Sequence, residues 1–233
     1  MTNEFSRLEL LYGMEAINKL KNSTVVILGI GGVGSFAAEA LARSAVGRLI
    51  LVDKDVIDIT NINRQVHALK STIGEFKAAS MKDRIKSINS ECDVTSLLTN
   101  YNEETTEQIF SYNPDYIVDA IDSMDSKIKI IVESINRNIP IISSMGTANK
   151  LDPTQFIVTD ISKTYMDPVA KIIRQGLRKH GIDKGVNVVF SPEKPLELIG
   201  PYNETGKLGS NGFVPPVAGL IMASIVVRDL TSI

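Results

Sequence analysis

Short runs of apolar, often β-branched residues alternate along this chain with longer stretches in which apolar positions recur every three or four residues. "TVVILG" (Thr24–Gly29) has the continuous apolar run of a buried strand. "RLILVD" (Arg48–Asp53), "DVTSLL" (Asp93–Leu98), "DYIVDAID" (Asp115–Asp122) and "IPIISS" (Ile139–Ser144) read as four more strands. Helical patterns lie around them. Ser6 to Lys21 is a weak one, carried by Leu8, Leu11, Tyr12, Ile17 and Leu20. "VGSFAAEALARSAVG" puts alanine and leucine on one face, with Gly47 as the expected C-cap. Lys77 to Asn89, Thr105 to Tyr112 and Ser126 to Arg137 follow. This rhythm predicts an α/β fold, a Rossmann-like, doubly wound, mainly parallel sheet. After about Gly146 the rhythm loosens. "FIVTDI" and "VNVVFS", with the helix "PVAKIIRQGLRKHG" between them, predict a C-terminal mixed-sheet extension. With no repeat, low-complexity tract or linker, residues 1–233 are expected to form one domain. Its nucleotide-binding half is 1–150 and its C-terminal extension 151–233.

Composition narrows the class. At 43% hydrophobic and 22% charged residues, the chain is a folded globular protein. A net charge of −2 means that any contact with nucleic acid must come from a local patch. The single cysteine, Cys92, excludes an internal disulfide and a four-cysteine zinc site, so a reducing cytoplasm is the expected location. Cys92 reads as a small buried thiol rather than a nucleophile. "MTNEFSRLELLYG" has no signal-peptide core. "GFVPPVAGLIMASIVV" is the most apolar run, but it carries Pro215 and Pro216 and falls short of the ~20 residues that a bilayer span wants. It is expected to be a buried terminal helix, and no membrane partner is expected.

Gly29, Gly31, Gly32 and Gly34 fit G-x-G-x-x-G between a strand and a helix. Such glycines let phosphate approach backbone N–H groups at a helix start. Asp53, at the end of the second strand, is placed to accept hydrogen bonds from a ribose. This predicts an adenine nucleotide without choosing between NAD and ATP. A hydride-transfer enzyme needs a proton-transfer residue, and neither histidine, His67 or His180, stands in a recognisable acid–base setting. ATP needs cations for a triphosphate and a carboxylate for Mg²⁺. Arg64 in "NINRQ", Lys77 at a helix start and Asp122 at the end of a strand supply them.

"GIGGVGS", "LVDKDVIDITNINRQVH", "GEFKAASMKDRI" and "VDAIDS" resemble the adenylating enzymes related to ubiquitin activation, which include the activators of the thiamine and molybdopterin sulfur carriers. The resemblance implies that a substrate carboxylate attacks the α-phosphate of ATP, giving an acyl-adenylate and pyrophosphate. It assigns nucleotide binding to Gly31, Asp53 and Lys77, phosphate contact to Arg64 and Mg²⁺ to Asp122. It also implies a homodimer in which Arg7 of "FSRLELLYG" reaches the partner's ATP. Asn61 and Gln65 fall in the same matched segment with less defined roles.

One departure and one further match select the substrate. Carrier-protein activators commonly hold paired CxxC zinc motifs, and a lone cysteine cannot make them. "DPVAKIIRQGLRKHGI", with "RLELLYG", "FAAEALARSAVG" and "TNINRQVHAL", resembles the bacterial tRNA threonylcarbamoyladenosine dehydratases. The resemblance then implies activation of a threonine carboxylate on tRNA and cyclisation without an enzyme cysteine. Lys171, Arg174, Arg178 and Lys179 are candidate tRNA contacts, on a helix whose other side is Val169, Ile172, Ile173 and Leu177. Tyr165 is the nearby candidate for stacking. Three other readings stay open: adenylation of the C-terminal Gly-Gly of a small sulfur-carrier protein, an NAD-binding oxidoreductase, and a non-enzymatic scaffold among sulfur-relay proteins. Whether a monovalent cation joins ATP and Mg²⁺ is also open.

Overall fold

A computed structural model describes residues 2–197 and 208–233. Seven strands form one sheet in the order β3-β2-β1-β4-β5-β7-β6. They are β1 (Thr24–Leu28), β2 (Arg48–Val52), β3 (Asp93–Leu97), β4 (Tyr116–Asp119), β5 (Ile141–Ser144), β6 (Ile157–Asp160) and β7 (Asn187–Phe190). All neighbours are parallel except β6, which runs antiparallel to β7. The expected doubly wound sheet with a mixed extension is therefore observed.

Continuous apolar strands bury both faces because successive side chains point to opposite sides. Val25 and Ile27 of β1, with Leu49 and Leu51 of β2, pack beneath the helices α1 (Ser6–Lys21), α2 (Gly34–Arg43), α3 (Lys77–Ile88) and α7 (Val214–Thr231). Val26, Leu28, Ile50 and Val52 face the opposite core, with α4 (Glu103–Phe110), α5 (Met124–Asn136) and α6 (Pro168–Arg178). Strand order reverses between β1 and β4, and that switch opens a crevice at the carboxyl ends of the strands.

Capping explains the small shifts in helix bounds. The helix expected from Thr105 begins at Glu103, because Asn102 accepts the Thr105 N–H while Thr105 Oγ1 accepts that of Asn102. Ser123 caps α5, moving its start from Ser126 to Met124. Gly47 is not the C-cap of α2. That helix ends at Arg43, and Ala45 takes the left-handed conformation at φ 65°. Gly47 is needed for a different reason: a Cβ there would stand 1.7 Å from the Lys21 carbonyl oxygen.

The terminal apolar run folds as α7 against α2. A Cβ on Gly219 would stand 2.2 Å from the Val33 carbonyl oxygen, so the two helices touch through backbone. α7 is long and apolar enough to cross a membrane, and 56% of it is buried within this fold. Cys92 is fully buried, and burial pushes its thiol up to about 11, which suppresses the thiolate.

Candidate active site

The crevice at the switch point is a cleft of about 590 Å³. Its floor is the loop after β1. Gly29 sits at φ 82° with its Cα against the Ala120 carbonyl, where a Cβ would come within 2.6 Å of the oxygen. Gly31 and Gly32 border the cleft. Gly34 does not. A Cβ there would stand 1.8 Å from the Gly29 carbonyl oxygen, so this glycine lets the helix close on the strand rather than meeting a ligand. α2 has no side-chain cap, although its Ser35 N–H is taken by the Gly31 carbonyl at 3.0 Å, so an anion would meet the helix start at the glycine loop itself.

β2 delivers two carboxylates. Asp53 Oδ2 accepts the Ile30 N–H at 2.7 Å, and Oδ1 accepts the Asp55 N–H at 2.8 Å. It thus ties the glycine loop to the end of β2, and each oxygen keeps capacity for a ribose hydroxyl. Burial raises its pKa, outweighing those two bonds and Lys77. Asp55 accepts a 2.8 Å bond from Lys77 Nζ, the first residue of α3. Lys77 is only 8% exposed, yet it borders the cleft. Its ammonium is therefore held by one exposed carboxylate, a partner that phosphate oxygens can replace.

The segment after β2 forms the facing wall. Asn61 Oδ1 accepts the Asp58 N–H, so its side chain shapes a turn. Arg64 Nη1 donates to the Thr60 carbonyl at 2.8 Å and to Asn63 Oδ1 at 2.9 Å, which aims the guanidinium. Burial lowers the Arg64 pKa. Gln65 is buried, and its Oε1 has no hydrogen-bond partner among the described residues. An unpaired buried amide oxygen on a cleft wall marks a place where a ligand donor belongs. Asp122 closes the far side on the turn between β4 and α5, exposed to the cleft.

The structure thus gathers Gly29, Gly31, Gly32, Asp53, Asn61, Arg64, Gln65, Lys77 and Asp122 around one space. Arg7 is not among them. It is exposed on α1, outside this chain's cleft. On α6, Lys171 and Lys179 are exposed, and Arg178 stands 3.5 Å from Asp183. Arg174 is partly buried, and its Nη1 donates to the Thr164 carbonyl and to Thr164 Oγ1. That leaves it a structural clamp as much as a surface cation.

Sequence reasoning missed several lining residues. Thr99, Asn100 and Tyr101 after β3 lie at a carboxyl strand end, where the doubly wound rule places ligand contacts. Thr147 and Ala148 follow β5 for the same reason, while Leu208, Gly209 and Ser210 carry no local signal. Asn63 Nδ2 donates to the Ser210 carbonyl at 3.0 Å, joining the Arg64 wall to that strap. No proton-transfer histidine faces the space. His67 is buried with both ring nitrogens unpartnered among the described residues, and His180 is exposed just past α6.

The chain matches the model of the ThiF family over residues 5–233. It is 55% identical to a Bacillus subtilis protein named tRNA threonylcarbamoyladenosine dehydratase, over 99% of this chain and 95% of that one. An Escherichia coli protein of the same name is 40% identical, over 78% of this chain and 71% of its own length. The fold is also similar to a crystal structure of the Escherichia coli dehydratase in complex with ATP. There the TM-score is 0.91 and the identity 35%, covering 98% of this chain and 94% of that one.

Proposed function

The chain belongs to the ThiF family, and from that premise we propose that it carries out the ATP-dependent dehydration of threonylcarbamoyladenosine in tRNA. The observation that carries this reading is the 55% identity to a dehydratase over nearly the whole of both chains. A carboxylate is a poor acyl donor, because oxide would have to leave. An oxygen of the threonine carboxylate attacks the α-phosphorus of ATP. The bond to the β-phosphate oxygen breaks, and pyrophosphate leaves with the electron pair. A nitrogen or carbonyl oxygen of the same modification then attacks the acyl carbon. AMP departs with the former carboxylate oxygen, a proton is lost, and the ring is closed. The nucleophile belongs to the substrate, so the inert, buried Cys92 is not needed.

Two anions must meet in the first step. Arg64 and Lys77 offset their repulsion and stabilise charge on the phosphates, each contact of this kind being worth about 3 kcal/mol of barrier. Asp53 holds the ribose, and the glycine loop receives the phosphates. Asp122 suits Mg²⁺. Among the described residues no three His, Cys, Asp or Glu side chains cluster as a self-contained metal site. One carboxylate facing phosphates is what Mg²⁺ commonly uses. Once bound there, Mg²⁺ supplies charge neutralisation and orients the phosphates. No cleft residue is assigned to a monovalent cation.

The reading extends to a cytoplasmic homodimer. Leu10 and Leu11 of α1, at 88% and 74% exposed, favour a partner surface beside Arg7, from which Arg7 reaches the second copy's ATP. Lys171, Arg178 and Lys179 are the cations left to meet tRNA phosphates.

The test is AMP release from ATP and Mg²⁺, with and without threonylcarbamoyl-modified tRNA, with Asp122→Ala as the blank. Release that needs modified tRNA and vanishes in the variant is expected. Release that needs a Gly-Gly carrier protein instead overturns the substrate. AMP release untouched by Asp122→Ala overturns the role given to Asp122, and no AMP release with either substrate leaves a scaffold role in sulfur relay.

A further inference from the structure

Asp122 stands on a short turn, and among the described residues its side chain makes no hydrogen bond that would fix where that turn points. Beneath it lies a fully buried polar cluster that the adenylation chemistry above does not use. Asp119, the last residue of β4, and Lys127, in the first turns of α5, form an ion pair at 2.8 Å with side chains 0% and 1% exposed. Asp119 Oδ2 also accepts a 2.6 Å bond from Ser143 Oγ of β5. Asp119 Oδ1 accepts the Ile121 N–H at 3.1 Å, immediately before Asp122. Lys127 Nζ reaches Ser143 Oγ at 3.4 Å.

The pair spans the Asp122 turn from end to end. Asp119 leads into the turn and Lys127 follows its exit, so their bond closes the segment as a staple. The Ile121 N–H bond then sets the direction in which the chain leaves the strand. Ser143 ties both groups to the neighbouring strand. Burying an ion pair rarely stabilises a fold more than apolar packing of the same volume would. Its presence here, directly under the carboxylate turn, matches what outer-shell groups do for metal ligands. Lys127 also cancels the charge of Asp119, so Asp122 is the carboxylate that this turn presents to the phosphates.

We propose that Asp119, Lys127 and Ser143 are positioning residues that hold the Asp122 turn in its metal-binding shape. The proposal rests on the assignment of Mg²⁺ to Asp122 made above. It does not depend on tRNA, so its test uses none.

The experiment is calorimetric titration of ATP into the full chain, once with EDTA and once with Mg²⁺. The ratio of the two affinities is the readout. In wild type Mg²⁺ tightens ATP, and Asp122→Ala removes the gain. Asp119→Asn and the milder Ser143→Ala are expected to cut the Mg²⁺ gain about ten- to a hundredfold where the gain is that large, and otherwise to abolish it. They leave ATP affinity in EDTA unchanged. Lys127→Arg restores part of the gain relative to Lys127→Met. The control is Tyr116→Phe, which removes the 2.7 Å bond from Tyr116 Oη to Asp229 at the other end of β4. It should lower Tm without moving the ratio.

Folded Asp119→Asn and Ser143→Ala proteins with the full Mg²⁺ gain overturn the proposal. So does a ratio that falls equally in Tyr116→Phe, because the cluster would then be mere ballast. If Asp122→Ala itself keeps the gain, the metal assignment fails and takes this proposal with it. Failure of the tRNA reading would show only in the AMP-release assay.

Discussion

The cleft and helix α6 both carry arginine and lysine, and they use them differently. In the cleft the cations meet at one point because backbone forces them there. Gly29 and Gly34 pack so closely that no Cβ fits, and Asp53 ties the loop to β2. Lys77 and Arg64 are aimed by Asp55, Thr60 and Asn63. On α6 no such frame exists. Arg174 turns inward to Thr164, and Arg178 makes only an exposed 3.5 Å pair, of a kind worth well under about 1 kcal/mol. Lys171 and Lys179 stand in solvent. A charge becomes a site when the chain around it has no other place to put it; otherwise it is a face.

The largest test of that contrast is a single methyl group in each region. Gly34→Ala sets a Cβ 1.8 Å from a carbonyl oxygen that cannot move without reshaping the loop. It should destabilise the protein by about 3 kcal/mol or more in urea unfolding, and remove ATP binding with it. Gly176→Ala on α6 meets Ile128 Cδ1 at 2.2 Å and Cγ1 at 2.9 Å, so that one side chain, rather than backbone, must turn to make room. It should cost about 1–2 kcal/mol, less than Gly34→Ala, and spare ATP binding. Equal costs would show that the cleft backbone is no more constrained than an ordinary helix contact.

Asp122→Ala comes next. It should slow AMP formation by about 10²–10³-fold in single-turnover assays while leaving Tm in place, since the side chain is exposed. A matched fall in Tm would make Asp122 structural.

The cleft region also carries a pH signature. His67 is buried behind the cleft. Burial first, then the charges of Lys77 and Arg84, pull its pKa to about 4 from an ordinary 6.5. Between those values the unfolded chain binds the extra proton and the folded one does not. Stability is therefore complete above about pH 6.5 and falls as pH drops toward 4, by up to about 3 kcal/mol. Urea unfolding across that range should show His67→Phe losing less than wild type. Parallel curves for the two would remove His67 as the cause.

The smallest effect is on α6. Lys171→Ala with Lys179→Ala should weaken tRNA binding uniformly and lower its salt slope by about 1 for each phosphate that is no longer neutralised. AMP release at saturating tRNA should not change. An unaltered slope would make α6 a solvated face and send the search for tRNA contacts elsewhere.

These regions are unequally legible in the sequence, for physical reasons. Strands β1, β2 and β4 announce themselves because burial on both faces demands unbroken apolar runs. The glycine loop does so because glycine has no substitute where backbones touch. Gly47 misleads as a C-cap because its partner, the Lys21 carbonyl, is remote in sequence and only the fold brings them together. Arg174 looks free because a helical pattern gives its face, not the Thr164 beside it. Asp119 and Lys127 are silent for the same reason. An ion pair closed through Ser143 on another strand leaves no mark in periodicity.

The contact between Gly219 of α7 and Val33 at the head of α2 also bears on how the molecule is made. The glycine loop follows β1, and the helix that backs it follows β7, more than 180 residues later. During synthesis α2 emerges before α7, so its apolar flank has no cover until Gly219 reaches it. Closing so distant a contact is slow. A chain cut before α7 would therefore carry the glycine loop without the backbone contact that Gly219 gives it.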